Sequence, residues 1–277
     1  MAMAETSGPN PVEVGAMYDQ FDTMDVLHFG YWEDEDDQTP VAEAADRLTD
    51  LVSGRVGAAA GKRLIDVGCG IGTPALRVAS RTGAEVVGIT VSGKQVERAT
   101  KSAEAEGLTG QVRFELADAM HMPFPDGSFD SAYALESIIH MDRETALREI
   151  ARVIRPGGRI VLTDVYDRIP APEGQPSLMH FLAQAWMMSP LIGRDDYPAL
   201  AEATGLRLVE ATDISEQVLW RTLRMIAQQM RTEQPVLVPD QIVEQIDAGH
   251  AGAVPDLPGM LENAQELGCL LVVLERD

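Results

Sequence analysis

The chain is short of cysteine, of positive charge and of long apolar runs, and each shortage excludes something. Only Cys69 and Cys269 occur among 277 residues. Two distant cysteines cannot build a disulfide framework or a cysteine-based zinc cluster, and they suit a reducing cytoplasm, the compartment expected here. Lysine and arginine number 22 against 44 acidic residues, a formal charge of -22. So acidic a protein repels phosphate backbones and anionic headgroups, so neither nucleic acid nor a membrane surface is expected as a partner. A neutral or cationic small molecule fits better, and beyond that the charge serves solubility. The longest apolar run, Cys269 to Leu274, has the length of a strand and not of a membrane span. No basic segment followed by an apolar stretch opens the chain, so no export signal is expected. Asp164, Asp195 and Asp196 are too few and too scattered for a metal site, and none is expected.

What is present is a sizeable apolar fraction, 45%, in alternating strand and helix patterns. Residues 1–12 lack apolar periodicity and read as disordered. A helix from about Thr39 to Val56 places Val41, Ala45, Leu48 and Val52 on one face. Strand-like runs follow at Arg63 to Val67, Glu85 to Ile89, Val112 to Leu116, Phe129 to Ala134 and Arg159 to Asp164. Helices lie between them. The first opens with Thr73 as N-cap and Pro74 at N1, the next with Ser92 as N-cap, and a later one at Asp142. This alternation predicts parallel βαβ units in a doubly wound α/β fold. Arg207 to Val209 and Leu270 to Glu275 read as two final strands. The stretch between them and the Met-rich segment Pro170 to Pro198 read as a helical cap over the C-terminal sheet edge, where open α/β folds bind ligands. Trp186, Met187 and Met188 in that segment read first as ordinary core and second as pocket wall. The resulting division is residues 13–60 as lid and first helix, 61–169 as binding core, and 170–277 as final strands with cap insertions.

The sharpest signal is Asp66-Val67-Gly68-Cys69-Gly70-Ile71-Gly72-Thr73-Pro74, an apolar strand running into a tight glycine turn and a helix. Glycines let the backbone approach a ligand closely, and a helix N-terminus favours an anionic group such as a carboxylate. A dinucleotide-binding fingerprint would carry glycine at position 73 and an acid at the end of the next strand. Here those positions hold Thr73 and Thr90, which excludes that reading.

From Leu64 to Asp164 the chain resembles the class I S-adenosylmethionine-dependent methyltransferases. Within them it is similar to the small-molecule O-methyltransferases of antibiotic biosynthesis, a group that includes the rebeccamycin sugar 4'-O-methyltransferase. The resemblance implies a Rossmann-like seven-stranded sheet with a helical cap, S-adenosylmethionine as cofactor and a small-molecule acceptor. It implies that Asp66, Gly68, Gly70 and Gly72 hold the methionine part of the cofactor and that Asp118 and Ala119 take the adenine. Leu135 would lie beside the methionyl group. Thr90 and Gln95 would serve the ribose, although Ser92-x-x-Gln95 is also a capping box. Tyr18, His28 and Tyr31 match a lid segment that closes over the cofactor.

His140 is the candidate base, just past the fourth strand, with Asp164 orienting it or taking part itself. The antibiotic O-methyltransferases often carry two successive histidines at this point, and here the first is Ile139. Three outcomes therefore stay open: methyl transfer to oxygen, transfer to carbon or nitrogen, and a ring closure that retains the cofactor without methyl transfer. Self-association is not legible in the residues.

Overall fold

A computed structural model describes residues 8–20, 25–169, 182, 186–232 and 256–277. Of the expected disorder over residues 1–12, residues 1–7 lie outside the described residues, whereas Pro11 and Val12 open a helix capped by Asn10. The cap segments 170–181, 183–185 and 233–255 lie wholly outside, as do Phe21, His180 and His250.

Seven strands form one sheet: β1 (Arg63–Val67), β2 (Glu85–Thr90), β3 (Val112–Leu116), β4 (Ser131–Leu135), β5 (Arg159–Asp167), β6 (Leu206–Asp213) and β7 (Leu267–Arg276). Their spatial order is β3-β2-β1-β4-β5-β7-β6. The first five are parallel, and β7 inserts antiparallel between β5 and β6. Strand order reverses at β1, so the C-terminal ends of β1 and β4 flank a crevice, the place where such sheets bind ligands.

The sheet has a core on each face, because inward residues alternate with a period of two. In β7, Cys269, Leu271 and Val273 face one core while Leu270, Val272 and Leu274 face the other. The first core takes α2 (Val41–Val56), α3 (Thr73–Thr82) and α4 (Gly93–Ala105). The second takes α5 (Arg143–Val153) and α6 (Tyr197–Ala203). On α2 the expected stripe is buried at Ala45, Leu48 and Val52. Each large aliphatic side chain of this kind contributes about 2 kcal/mol when buried. Two further helices, α7 (Arg221–Thr232) and α8 (Leu257–Glu262), pack on the first core, and α1 (Pro11–Tyr18) leads into the lid.

Helix starts follow local chemistry with one shift. Ser92 caps α4, its side chain accepting from Gln95 N–H, and Asp142 caps α5 by accepting from Thr145 N–H. The cap of α3 is Gly72 rather than the expected Thr73, with φ 87° and no side-chain bond. A left-handed residue was needed to turn the strand into the helix, and only glycine takes that conformation cheaply. The fourth strand also starts later than the pattern suggested: Phe129 makes an isolated bridge to Ile154, and the ladder begins at Ser131.

Candidate active site

The crevice is a cavity of about 350 Å³ at the C-terminal ends of β1, β2 and β4, with α1 across it. Its wall includes Asp66, Gly68, Gly70, Thr90, Gln95, Asp118, Ala119 and Leu135, together with Tyr18, His28 and His140. The positions that the motif marked thus converge, although they come from residue 18 to residue 140.

Gly68 shows why the turn must be glycine. Its φ is 77°, and a Cβ there would lie 2.2 Å from the Ser137 Cβ. The backbone N–H groups of Gly68 and Cys69 both donate to Ile89 O at 2.9 Å, locking the turn against β2. Gly72 serves otherwise than expected. A Cβ on it would meet Phe114 and Ala99, so it lets α3 seat against its neighbours and lines neither cavity described here.

Asp66 is buried, and its Oδ2 has no hydrogen-bond partner. Burial pushes its carboxyl up to about 7, with the neighbouring Tyr133 hydroxyl pulling the other way. A buried, unpartnered carboxyl oxygen in the cavity wall suits an ammonium group. Thr90 Oγ1 donates to Gln95 Oε1 at 2.6 Å, so the Gln95 side chain turns to the cavity and not back onto the helix start as a capping box would. Asp118 accepts from Met120 N–H at 2.8 Å and lies 3.3 Å from His121 Nδ1, so it shapes its own turn while lining the cavity. His28 lines the cavity with Nδ1 at 2.9 Å from Phe29 O, and burial lowers its pKa. Tyr31 does not reach the cavities: its N–H is tied to Ala44 O, and the next residue, Trp32, is buried with its indole donating to Thr39 O. Those bonds turn the segment onto α2.

His140 closes the short helical turn Ile138–His140 after β4. Its Nδ1 lies 3.1 Å from the carbonyl of Met187, and its Nε2 lies 2.8 Å from the Tyr18 hydroxyl. A neutral imidazole has one N–H, and a carbonyl can only accept, so Nδ1 donates and Nε2 carries the lone pair. Burial lowers the pKa of His140, against the raising effect of its bonds to the Met187 and Trp186 backbone. The ring is therefore neutral near pH 7 with its basic nitrogen toward Tyr18.

Asp164 is elsewhere. It is fully buried in a bidentate pair with Arg143, at 2.6 Å to Nε and 2.9 Å to Nη2, and it accepts the Tyr197 hydroxyl. It lines neither cavity, and the Met187 carbonyl takes the orienting bond expected of it. Arg143 was invisible as its partner because the pair joins the start of α5 to the middle of β5, which runs three residues past the strand end the sequence suggested.

A second cavity of about 150 Å³ adjoins the first, and Tyr18, Leu27, Glu136 and His140 line both. Trp186 and Met188 are part of its wall and also pack on the first core, so that segment serves as core and as pocket wall. Glu136 escaped the sequence reading as a site residue. It has φ 53°, and its one sequence signal is an acid set between the apolar strand end and Ser137.

The methyltransferase-domain family model matches residues 65–162. Methyltransferase GfsG of Streptomyces halstedii is 43% identical over 212 residues, spanning 74% of this chain and 76% of that protein. The 27-O-demethylrifamycin SV methyltransferase of Amycolatopsis mediterranei is 42% identical over 216 residues, spanning 75% of this chain and 78% of that protein. The crystal structure of the [4+2]-cyclase SpnF superposes with a TM-score of 0.79 at 30% identity, covering 98% of each chain. With the glycine turn, the orphaned Asp66 carboxyl and the seven-stranded order in place, the chain belongs to the class I S-adenosylmethionine-dependent methyltransferases, grouped with their small-molecule O-methyltransferases, and S-adenosylmethionine is its cofactor.

Proposed function

We propose that this enzyme transfers a methyl group to a hydroxyl of a small-molecule secondary metabolite, with His140 as general base. The observation that carries the reading is the lone pair of His140 Nε2, held where the two cavities meet. In this assignment Asp66 takes the cofactor's ammonium group, and the backbone at Gly68 and Gly70 lies along its methionine part. Thr90 and Gln95 face the ribose, Asp118 and Ala119 the adenine, and Leu135 and the lid residues Tyr18 and His28 cover it. Gly72 seats α3 against Phe114 and Ala99, and Tyr31 packs on the first core.

When bound, S-adenosylmethionine supplies an electrophilic methyl on a sulfonium. The chain's own task is to hold an acceptor oxygen in line with that methyl and to receive its proton. An acceptor hydroxyl that displaces Tyr18, or donates to its oxygen, delivers the proton to Nε2. The Met187 carbonyl keeps Nδ1 as the donor throughout.

The likeness to SpnF favours one other reading, a ring closure in which the cofactor stays intact. Incubation with methyl-labelled S-adenosylmethionine and a panel of hydroxylated glycosides, macrolides and polyenes separates the two. Label on oxygen is the expected result. Label on carbon or nitrogen, or turnover with none transferred, would replace it.

Asp66 gives an independent test of the cofactor assignment. Its carboxylate must be ionised to meet an ammonium group, so affinity for S-adenosylmethionine is expected to rise with pH up to about 7. Below that pH it falls by up to about tenfold per unit. Asp66→Asn should weaken binding by about tenfold to a hundredfold and abolish this acid limb. Calorimetric titrations between pH 5.5 and 8 check it; an unchanged pH profile in the variant would refute the contact.

A further inference from the structure

Glu136 is a buried acid that the proton transfer leaves unused. Its N–H donates to Thr163 Oγ1 at 3.0 Å, and its Oε2 accepts from Phe29 N–H at 2.9 Å. Its Oε1 has no partner although the residue is only 9% exposed. The backbone around it is left-handed, which a side-chain-bearing residue adopts only under constraint from its surroundings. Glu136 is part of the wall of both cavities.

The second cavity is apolar over most of its wall, with Phe29, Ile139, Val165, Trp186, Leu223 and Leu267 among its residues. Apart from the Trp186 indole, the polar side chains among its described lining residues are Tyr18, Glu136 and His140, and no lysine or arginine is among them. A ligand carboxylate or phosphate would find no lysine or arginine among these residues to balance its charge, a costly arrangement away from water. A hydroxyl, in contrast, has one proton, and the reacting hydroxyl gives that proton to His140. Burial pushes the Glu136 carboxyl up to about 8, so near pH 7 it largely keeps its proton, on Oε1 because Oε2 accepts from Phe29 N–H. Oε1 then needs a hydrogen-bond partner from elsewhere on the ligand.

We propose that Glu136 is a second anchor of the acceptor site, its Oε1 sharing a hydrogen bond with a hydroxyl next to the one that is methylated. The acceptor is accordingly an uncharged, lipophilic molecule with two neighbouring hydroxyls. This rests on the proposed O-methylation with His140 as base. In this role Glu136 positions the acceptor rather than exchanging protons with the reacting oxygen.

The test measures binding and not turnover, in the full chain saturated with S-adenosylhomocysteine, by tryptophan fluorescence. The probes are octane-1,2-diol, 1-octanol and octanoate. The diol is expected to bind about tenfold more tightly than 1-octanol, and octanoate more weakly than either. Glu136→Ala should reduce the diol to the affinity of 1-octanol, while Glu136→Gln, which can keep the Phe29 bond and offer a polar group to the hydroxyl, should retain the preference. Equal binding of diol and mono-alcohol by the unmodified protein would overturn the proposal, whether or not the alanine variant folds. So would a diol preference that survives Glu136→Ala, or octanoate binding as tightly as the diol. Methyl label found on carbon alongside an intact diol preference would sink the O-methylation reading alone.

Discussion

Replacing His140 with alanine is expected to slow methyl transfer by about a hundredfold or more while leaving the affinity for S-adenosylmethionine unchanged. The size follows from what is lost. The acceptor oxygen becomes a competent nucleophile as its proton leaves, and His140 Nε2 is the buried, unprotonated nitrogen at the cavity junction. The Met187 carbonyl fixes the tautomer at the cost of one hydrogen bond, so the lone pair is preorganised. Burial holds the pKa of His140 below the ordinary histidine value. Protonation abolishes the base, so activity should fall as pH drops through that lowered pKa, placing the acid limb of the rate profile below about 6.5. In His140→Ala this limb should disappear. Single-turnover rates across pH 5 to 8, with equilibrium cofactor binding in parallel, are the measurement. An unchanged chemical step would remove His140 from the mechanism. Tyr18→Phe separates the two proton routes: a loss close to that of His140→Ala means the proton passes through the Tyr18 oxygen, and a small effect means the acceptor displaces it.

The second large effect concerns stability. Arg143→Ala should destabilise the protein by about 3–5 kcal/mol, because it leaves the Asp164 carboxylate buried and without its counter-charge. Arg143 and Asp164 are both almost wholly buried, and the guanidinium also donates to Pro190 O at 2.9 Å. Through that bond the pair ties α5 and β5 to the segment that carries the Met187 carbonyl. The variant should therefore also lose activity through misplacement of His140. Replacing both partners at once, as in Arg143→Met with Asp164→Leu, removes the charge together with its partner, and should cost much less than the single change. Denaturant midpoints for the two variants decide the matter. A double variant no more stable than Arg143→Ala would show that the pair is not the source of the loss.

The strand and helix order was legible because it rests on local rules. Alternation of period two, the Ser92 and Asp142 caps and the Asp66 to Pro74 turn need only near neighbours in the chain. The Gly72 cap was missed by one residue because a left-handed φ leaves no mark in the sequence except glycine itself, which the pattern had already assigned to ligand binding. Likewise Tyr31 carried a polar tip that suited a lid, but its backbone bond to Ala44 points the segment onto α2.

The sequence by itself thus determined the alternation of parallel strands and helices and the glycine turn, since each depends on residue types at short spacing, and it left the reaction open among three outcomes. Only the tertiary structure decided the partners of His140 and Asp164. Tyr18 meets His140 across 122 residues, Met187 reaches it across 47, and Asp164 is claimed by Arg143 instead. It also decided that Glu136, in the wall of both cavities, would keep one buried oxygen without a hydrogen-bond partner. Such choices depend on which chain segments fold back onto the same few ångströms, and long-range packing, not local spacing, settles that competition.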